Sequence, residues 1–335
     1  MTWLSLGSLA LPMTLNRHGV KVRTDLSRLG QEVTTGRAAK PARHLRGDLD
    51  RLTRLEAQDS RLLAQRSAIA QLATHVDRAQ AAIAHVSALS QGLGADLLAA
   101  SLAGPGTQVA TTAAQSAESV LNDIVATLRQ RHDGQALFSG AASDRSPIPQ
   151  ADAILSALAT VVAGAGSARE IADRVLLAMT GPGEMFETIL WQGADPGDGA
   201  LIGDDGQRAG ALPTLLDPAL RTAMAGAIMG AMAADASLPA TEQGQLLRLA
   251  AETLSGNTAG MARVESDIGT VQNRIATRQT QVQAERDGLE LARQALVGVD
   301  PYDAAAHLQA TQVQLEMIYA VTARTASLSL TEYLR

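Results

Sequence analysis

Two seven-residue apolar repeats, one toward each end of the chain, constrain its fold more than anything else in the sequence. Leu55, Leu62, Ile69, Val76 and Ile83 stand seven apart, and Leu72, Ala79, Val86 and Leu93 form a companion row three positions on. Toward the other end, Met261, Ile268, Ile275, Val282, Leu289 and Leu296 repeat at the same interval. Their companion row of Val264, Val271, Ala292 and Val299 is interrupted by Arg278 and Glu285. Apolar rows at this spacing sustained over four or more heptads are the seam of a coiled coil. A helix over 42–101 spans about 90 Å at 1.5 Å per residue. A stripe of that length cannot stay in water, and the simplest burial is one repeat against the other. The expected rod seam is Leu62, Ile69, Val76 and Ile83 facing Ile268, Ile275, Val282 and Leu289. The expected fold is therefore mainly α. It is a long antiparallel helical coiled-coil rod made by the N- and C-terminal segments, with both termini at one end and the middle of the chain at the other.

Punctuation divides the rest. Leu15, Val22, Leu26 and Leu29 share one face of a first helix, which Thr34-Thr35-Gly36-Arg37 and Pro41 end. Gly104-Pro105-Gly106 turns the chain into a second rod helix over 107–130, which stops at Asp133-Gly134. Most of the prolines fall in 141–245, read as a small mixed α/β insertion. It has helices expected at 150–163 and 167–180, the second with Ser167 as N-cap and Glu170 at the third position. Short strands are expected at Thr188–Trp191 and Ala200–Ile202, and Asp217-Pro218 opens a further helix. Gly298 to Pro301 separates the C-terminal rod helix from a last helix beginning at Tyr302, with Leu308, Leu315 and Ile318 along it. The expected divisions are 1–41, 42–140, 141–245, 246–300 and 301–335.

Composition excludes several roles. Phe, Trp and Tyr together make only 2% of the 335 residues, poor material for the pocket of an enzyme. There is no cysteine, hence no disulfide and no thiolate metal site. Charge is uneven: net +5 over residues 1–100, −9 over 101–262 and −2 over 263–335. No segment has the dense basic stripe with interleaved aromatics that nucleic acid demands, and lysine occurs only at Lys21 and Lys40. The apolar start from Trp3 to Met13 has no basic flank before it, so no cleaved signal peptide is expected. No apolar run is long enough to span a bilayer, so membrane insertion is not expected either.

Chemistry-bearing motifs are equally sparse. His18, His44, His75, His85, His132 and His307 include no pair three or four apart, and are expected to be surface or seam residues. Asp195, Asp198, Asp204 and Asp205 lack the spacing and terminal Glu of a calcium loop and read as solvated turn residues. Gly197, Gly199 and Gly203 miss the dinucleotide-binding spacing. Ser139 lacks the glycines of a nucleophile elbow, with Leu137 and Ala141 in their places. The expectation is no enzyme, no cofactor and no metal. Periodicity alone fits an inert spacer as well as a working subunit.

Particular residues at the two ends go further. Thr34-Thr35-Gly36-Arg37 before Pro41 resembles the (S/T)-(S/T)-G-(K/R) turn of the bacterial flagellin family. Gly134 to Gly140 is similar to its G-x-x-L-F-(S/A)-G stretch. Val299-Asp300, Tyr319-Ala320-Val321-Thr322-Ala323 and the tail Leu328-Ser329-Leu330-Thr331-Glu332-Tyr333-Leu334 resemble its closing helix, the tail being nearest to the hook-associated group. Where the family has D-D-P, this chain has Ala39-Lys40-Pro41. The resemblance covers roughly 14–140 and 255–335.

It implies a secreted structural subunit that polymerises at the tip of the hook and carries filament growth, exported through the flagellar type III channel without a cleaved leader. It implies partners: further copies of the chain, a neighbouring hook-associated protein, flagellin and an export chaperone. It makes 141–245 a variable outer domain and the end helices the assembly segments. Leu15, Val22, Leu26, Leu29, Leu308, Leu315, Ile318, Tyr319, Leu328, Leu330, Tyr333 and Leu334 are then the interface that neighbouring subunits cover. The alternatives are a filament subunit of the same family and, from another class, a cytoplasmic coiled-coil adaptor or signalling protein.

Overall fold

The computed structural model describes residues 6–103, 107–195, 197, 208–234 and 238–333, with side chains described from Met13 to Arg324 within them. The chain is mainly α. Its helices are α1 (Leu6–Thr35), α2 (Pro41–His44), α3 (Asp50–Leu102), α4 (Gln108–Leu128), α5 (Ala151–Val162), α6 (Ala168–Thr180), α7 (Pro218–Met232), α8 (Ala240–Gly256), α9 (Thr258–Val297) and α10 (Pro301–Tyr333). A two-residue hairpin, β1 (Arg131–His132) with β2 (Gln135–Ala136), follows α4. The backbone divides into two units, Met1–Leu63 with Gln283–Arg335, and Ala64–Val282.

In the first unit α1 packs along α10. Its row of Leu15, Gly19, Val22, Leu26 and Leu29 is buried or half-buried, at the alternating spacing of four and three that keeps one face inward. Gly36 ends α1 in the left-handed region, φ +64°. The chain then pairs with the turn before α10: Ala38 N donates to Val297 O at 2.8 Å and Val299 N to Gly36 O at 3.0 Å. The long helix expected from residue 42 begins at Asp50 instead. Arg46 and Gly47 take positive φ, +53° and +91°, and break off α2 as a single turn. The first turns of α3 meet the last of α9 through Arg286 and Asp59 at 3.0 Å and Arg293 and Glu56 at 3.7 Å. Rising numbers on one helix meet falling numbers on the other, so the two strands of this unit's seam run antiparallel.

In the second unit the remaining seam residues of α3 and α9 are buried, and Gln272 Nε2 donates to Asp77 at 2.9 Å. Around them sit α4 to α8, with α7 at the centre in contact with α4, α6 and α8. Two glycines allow that closeness. A Cβ on Gly226 would stand 2.5 Å from Leu254, and one on Gly230 would stand 2.8 Å from Ala117. Local signals set the helix starts: Thr107, Ser167 and Asp217 each accept a backbone N–H of the first turn. Glu170 reaches back to Gly166 N at 3.0 Å.

The expected mixed α/β insertion is corrected in part. Among the described residues 141–245 forms helices and no strand. Thr188–Trp191 was expected as a strand on its β-branched and aromatic residues, but Phe186–Leu190 closes as one turn of π-helix. Phe186 is driven inward and Glu187 is held by Arg221 at 3.0 Å, so tertiary burial overrides local β-propensity. The strand expected at Ala200–Ile202 lies outside the described residues.

Candidate assembly interface

The end helices carry the residues singled out for assembly, and the structure gives most of them a partner inside the molecule. Val22 and Leu29 are buried, and Leu15 and Leu26 half-buried, on the row of α1 that faces α10. Opposite them Ala304 is buried and Leu308, Thr311, Leu315 and Ile318 are half-buried, again at spacings of four and three. The approach is close at Gly19, where a Cβ would meet Ile318 Cγ2 at 3.8 Å. Arg23 Nε donates to the Tyr319 hydroxyl at 2.8 Å, and its guanidinium lies 5.4 Å from the ring centre of the same tyrosine. These faces were expected to wait for neighbouring subunits. Instead α1 and α10 cover one another, because the two apolar rows have matching period and opposite direction. Tyr319 stays 47% exposed. The side chains of Leu328, Leu330 and Tyr333, and all of Leu334, lie outside the described residues.

A different row remains in water. Val313, Met317 and Val321, four residues apart on α10, are 46%, 59% and 48% exposed. On α1, Val20 and Met13 are exposed as well. The sequence passed over this row, although its spacing of four is visible there. Exposed apolar side chains are ordinary singly, but three at one helical spacing make a face that association can bury.

Polar groups fix the base of the helix pair. Arg28 lies 3.5 Å from Asp25 and 2.8 Å from Glu32, and the buried Glu32 also accepts Ala39 N at 3.2 Å. Arg37 pairs with Glu290 and donates to Gln294 at 3.4 Å. These contacts hold the chain reversal between α1 and α3 against the end of α9.

The expected rod-seam residues are buried or half-buried within their own units. In the second unit Ile69, Val76, Ile83, Ile268, Ile275 and Val282 are at most 2% exposed. In the first unit Leu62 is buried and Leu289 half-buried. The second unit also has a cavity of about 740 Å³ lined by His75, His132, Asp133 and Thr214. Burial, with the nearby His132, lowers the pKa of His75 from its ordinary value. Asp133 and Gly134, φ +49° and +78°, make the hairpin turn that carries His132 there. Among the described residues no three of His, Asp and Glu gather as metal ligands, and no helix is long and apolar enough to cross a membrane.

No curated protein matches the chain. Residues 252–334 match the family model of the bacterial flagellin C-terminal helical region. That stretch is about a quarter of the chain and takes in α9 and α10, the helices that carry the C-terminal seam and the exposed apolar row. Over that stretch the chain is similar to the C-terminal helical region of bacterial flagellins.

Proposed function

We propose that the chain is a structural subunit stationed at the hook–filament junction of the bacterial flagellum. In this role α3 and α9 form a coiled-coil rod, α1 and α10 form the assembly tip, and sister copies bury what the tip leaves exposed. The role is structural rather than catalytic. The observation that carries it is the apolar row Val313, Met317 and Val321, left in water on a helix already paired with α1 and lying inside the flagellin-matched stretch. Burying such a row against a copy of itself offsets the ordering of the helix ends.

The junction, rather than the filament, is favoured by the tail Leu328-Ser329-Leu330-Thr331-Glu332-Tyr333-Leu334 and its resemblance to the hook-associated group. The partners are then sister copies, an adjoining hook-associated protein, flagellin and an export chaperone. The route is the flagellar type III channel to the cell exterior.

A deletion strain viewed by electron microscopy tests the station. Hooks that bear no filament support it, and normal filaments overturn it. Copies of the chain all along the filament assign it to the filament instead. Retention inside an export-competent cell favours a cytoplasmic adaptor.

A further inference from the structure

The connection between α1 and α3, from Lys40 to Arg51, carries four cations against two acids. Lys40, Arg43, Arg46 and Arg51 are all exposed, and none has an ion pair or a side-chain hydrogen bond. The segment is nonetheless ordered. Leu45 N donates to Pro41 O and Gly47 N to Ala42 O, both at 2.8 Å, closing α2 and the turn after it. At the apex Arg46 takes φ +53°, a region that disfavours any side chain with a Cβ. Arg46 is exposed there, beside a glycine that adopts the region freely, and its guanidinium has no ion pair or hydrogen bond in its own chain. Asp48 and Asp50 are the acids within the segment, and His44, Asp300 and Asp303 line the adjoining groove. Arg37, the next cation, is already taken by Glu290.

The opposite charge lies elsewhere in the same sequence. The unit Ala64–Val282 has 21 acidic residues against 13 basic ones, a net of −8. Among its acids Asp96, Glu118, Asp123, Asp152, Glu184 and Asp267 are exposed and without ion pairs. One polypeptide thus offers an ordered cationic turn and an anionic body.

We propose that the turn from Lys40 to Arg51 is a docking site for the acidic Ala64–Val282 unit of a second copy of the chain. Complementary charge speeds the encounter and sets its register. The two surfaces are different, so the contact is heterologous. One copy's turn engages the next copy's body, and the pattern repeats instead of closing as a two-fold dimer. This rests on the self-association in the proposed function but adds a contact separate from the apolar row of α10, with the opposite response to salt.

Sedimentation velocity on the full chain tests it, between about 0.05 M and about 0.5 M salt, where screening shortens from more than 10 Å to about 4 Å. Association is expected to weaken as salt rises. The double variant Arg43→Glu with Arg46→Glu is expected to weaken it at least about tenfold at low salt. The control Arg17→Glu with Arg61→Glu makes the same change in net charge within the turn's own unit but away from the turn, and is expected to leave association near wild type. Equal weakening by both pairs overturns the site, because net charge alone then explains the loss. An unaltered turn variant whose association strengthens with salt also overturns it, while leaving the proposed function standing on apolar burial. Binding of the wild-type chain to phosphatidylserine vesicles, lost in the turn variant while self-association is kept, overturns it in favour of a membrane surface. Wild-type chain that is monomeric at every salt concentration overturns both.

Discussion

Arg23, early in the chain, donates to the hydroxyl of Tyr319, almost three hundred residues later, at 2.8 Å. The contact brings the two end helices together and couples their registers. Tyr319→Phe keeps the ring under the guanidinium and loses the hydrogen bond, and is expected to cost about 0.5–1 kcal/mol. Tyr319→Ala also loses the cation–π contact, worth about another 0.5–1 kcal/mol. Thermal unfolding of the two variants checks the order, with the alanine variant melting lower.

The seam has a sharper test. Ile275 is 2% exposed. Ile275→Asp buries an unpaired charge and is expected to destabilise the chain by roughly 3 kcal/mol or more, whereas Ile275→Val trims one methylene and costs about 1 kcal/mol. Urea denaturation of both variants gives the comparison. An unchanged midpoint for Ile275→Asp would mean that the residue faces water.

Stability should bend near neutral pH because of His75. Its folded pKa is lowered from 6.5 by burial and by His132. Below that ordinary value the unfolded chain takes up a proton that the folded chain resists, so stability falls as pH drops from about 6.5 toward the folded value. His75→Gln is expected to flatten this part of the pH–stability curve. A curve with the same slope in wild type and variant contradicts the assignment.

Acid should act at a second place. Glu187 accepts Gly183 N at 2.9 Å and Arg221 at 3.0 Å, and these contacts lower its pKa, the backbone bond first. A carboxylate with a lowered folded pKa stabilises above its ordinary range and loses that contribution as pH falls through the folded value. Glu187→Gln also leaves Arg221, whose side chain is 8% exposed, without its counter-charge. The expected result is a lower melting temperature at neutral pH and a weaker loss on acidification, read by calorimetry across pH 3–7.

Removing residues 302–335 takes away the helix that covers Val22 and Leu29. The shortened chain is expected to keep the helicity of the Ala64–Val282 unit and to lose assembly at the hook. Filaments of normal length from cells carrying it would refute the role given to α10.

Much of this architecture is legible in the sequence, for reasons that differ from place to place. Long apolar rows such as Ile69 to Ile83 announce themselves because their period persists for several turns. Caps such as Ser167 and Asp217 are legible because one side chain settles the helix start locally. Legibility fails where distant contacts decide. Thr188–Trp191 has strand-forming residues, yet burial of Phe186 and the pull of Arg221 wind it into a π-turn. Arg221 itself stands alone among apolar residues in α7, and that isolation was the available sign of a buried pair. The apolar rows of α1 and α10 are visible in the sequence, but a helix face does not name its partner. Period alone could not say that they meet in the same molecule, nor that Val313, Met317 and Val321 are the residues left exposed.

The pairing of the two chain ends is the claim on which the rest depends, and a disulfide tests it most directly. The chain has no cysteine, and a Cβ at position 19 would lie 3.8 Å from Ile318. The double variant Gly19→Cys with Ile318→Cys, oxidised in dilute solution, is expected to give a crosslinked monomer on a non-reducing gel. Crosslinked dimers without the internal bond, or no crosslink at all, would contradict the pairing.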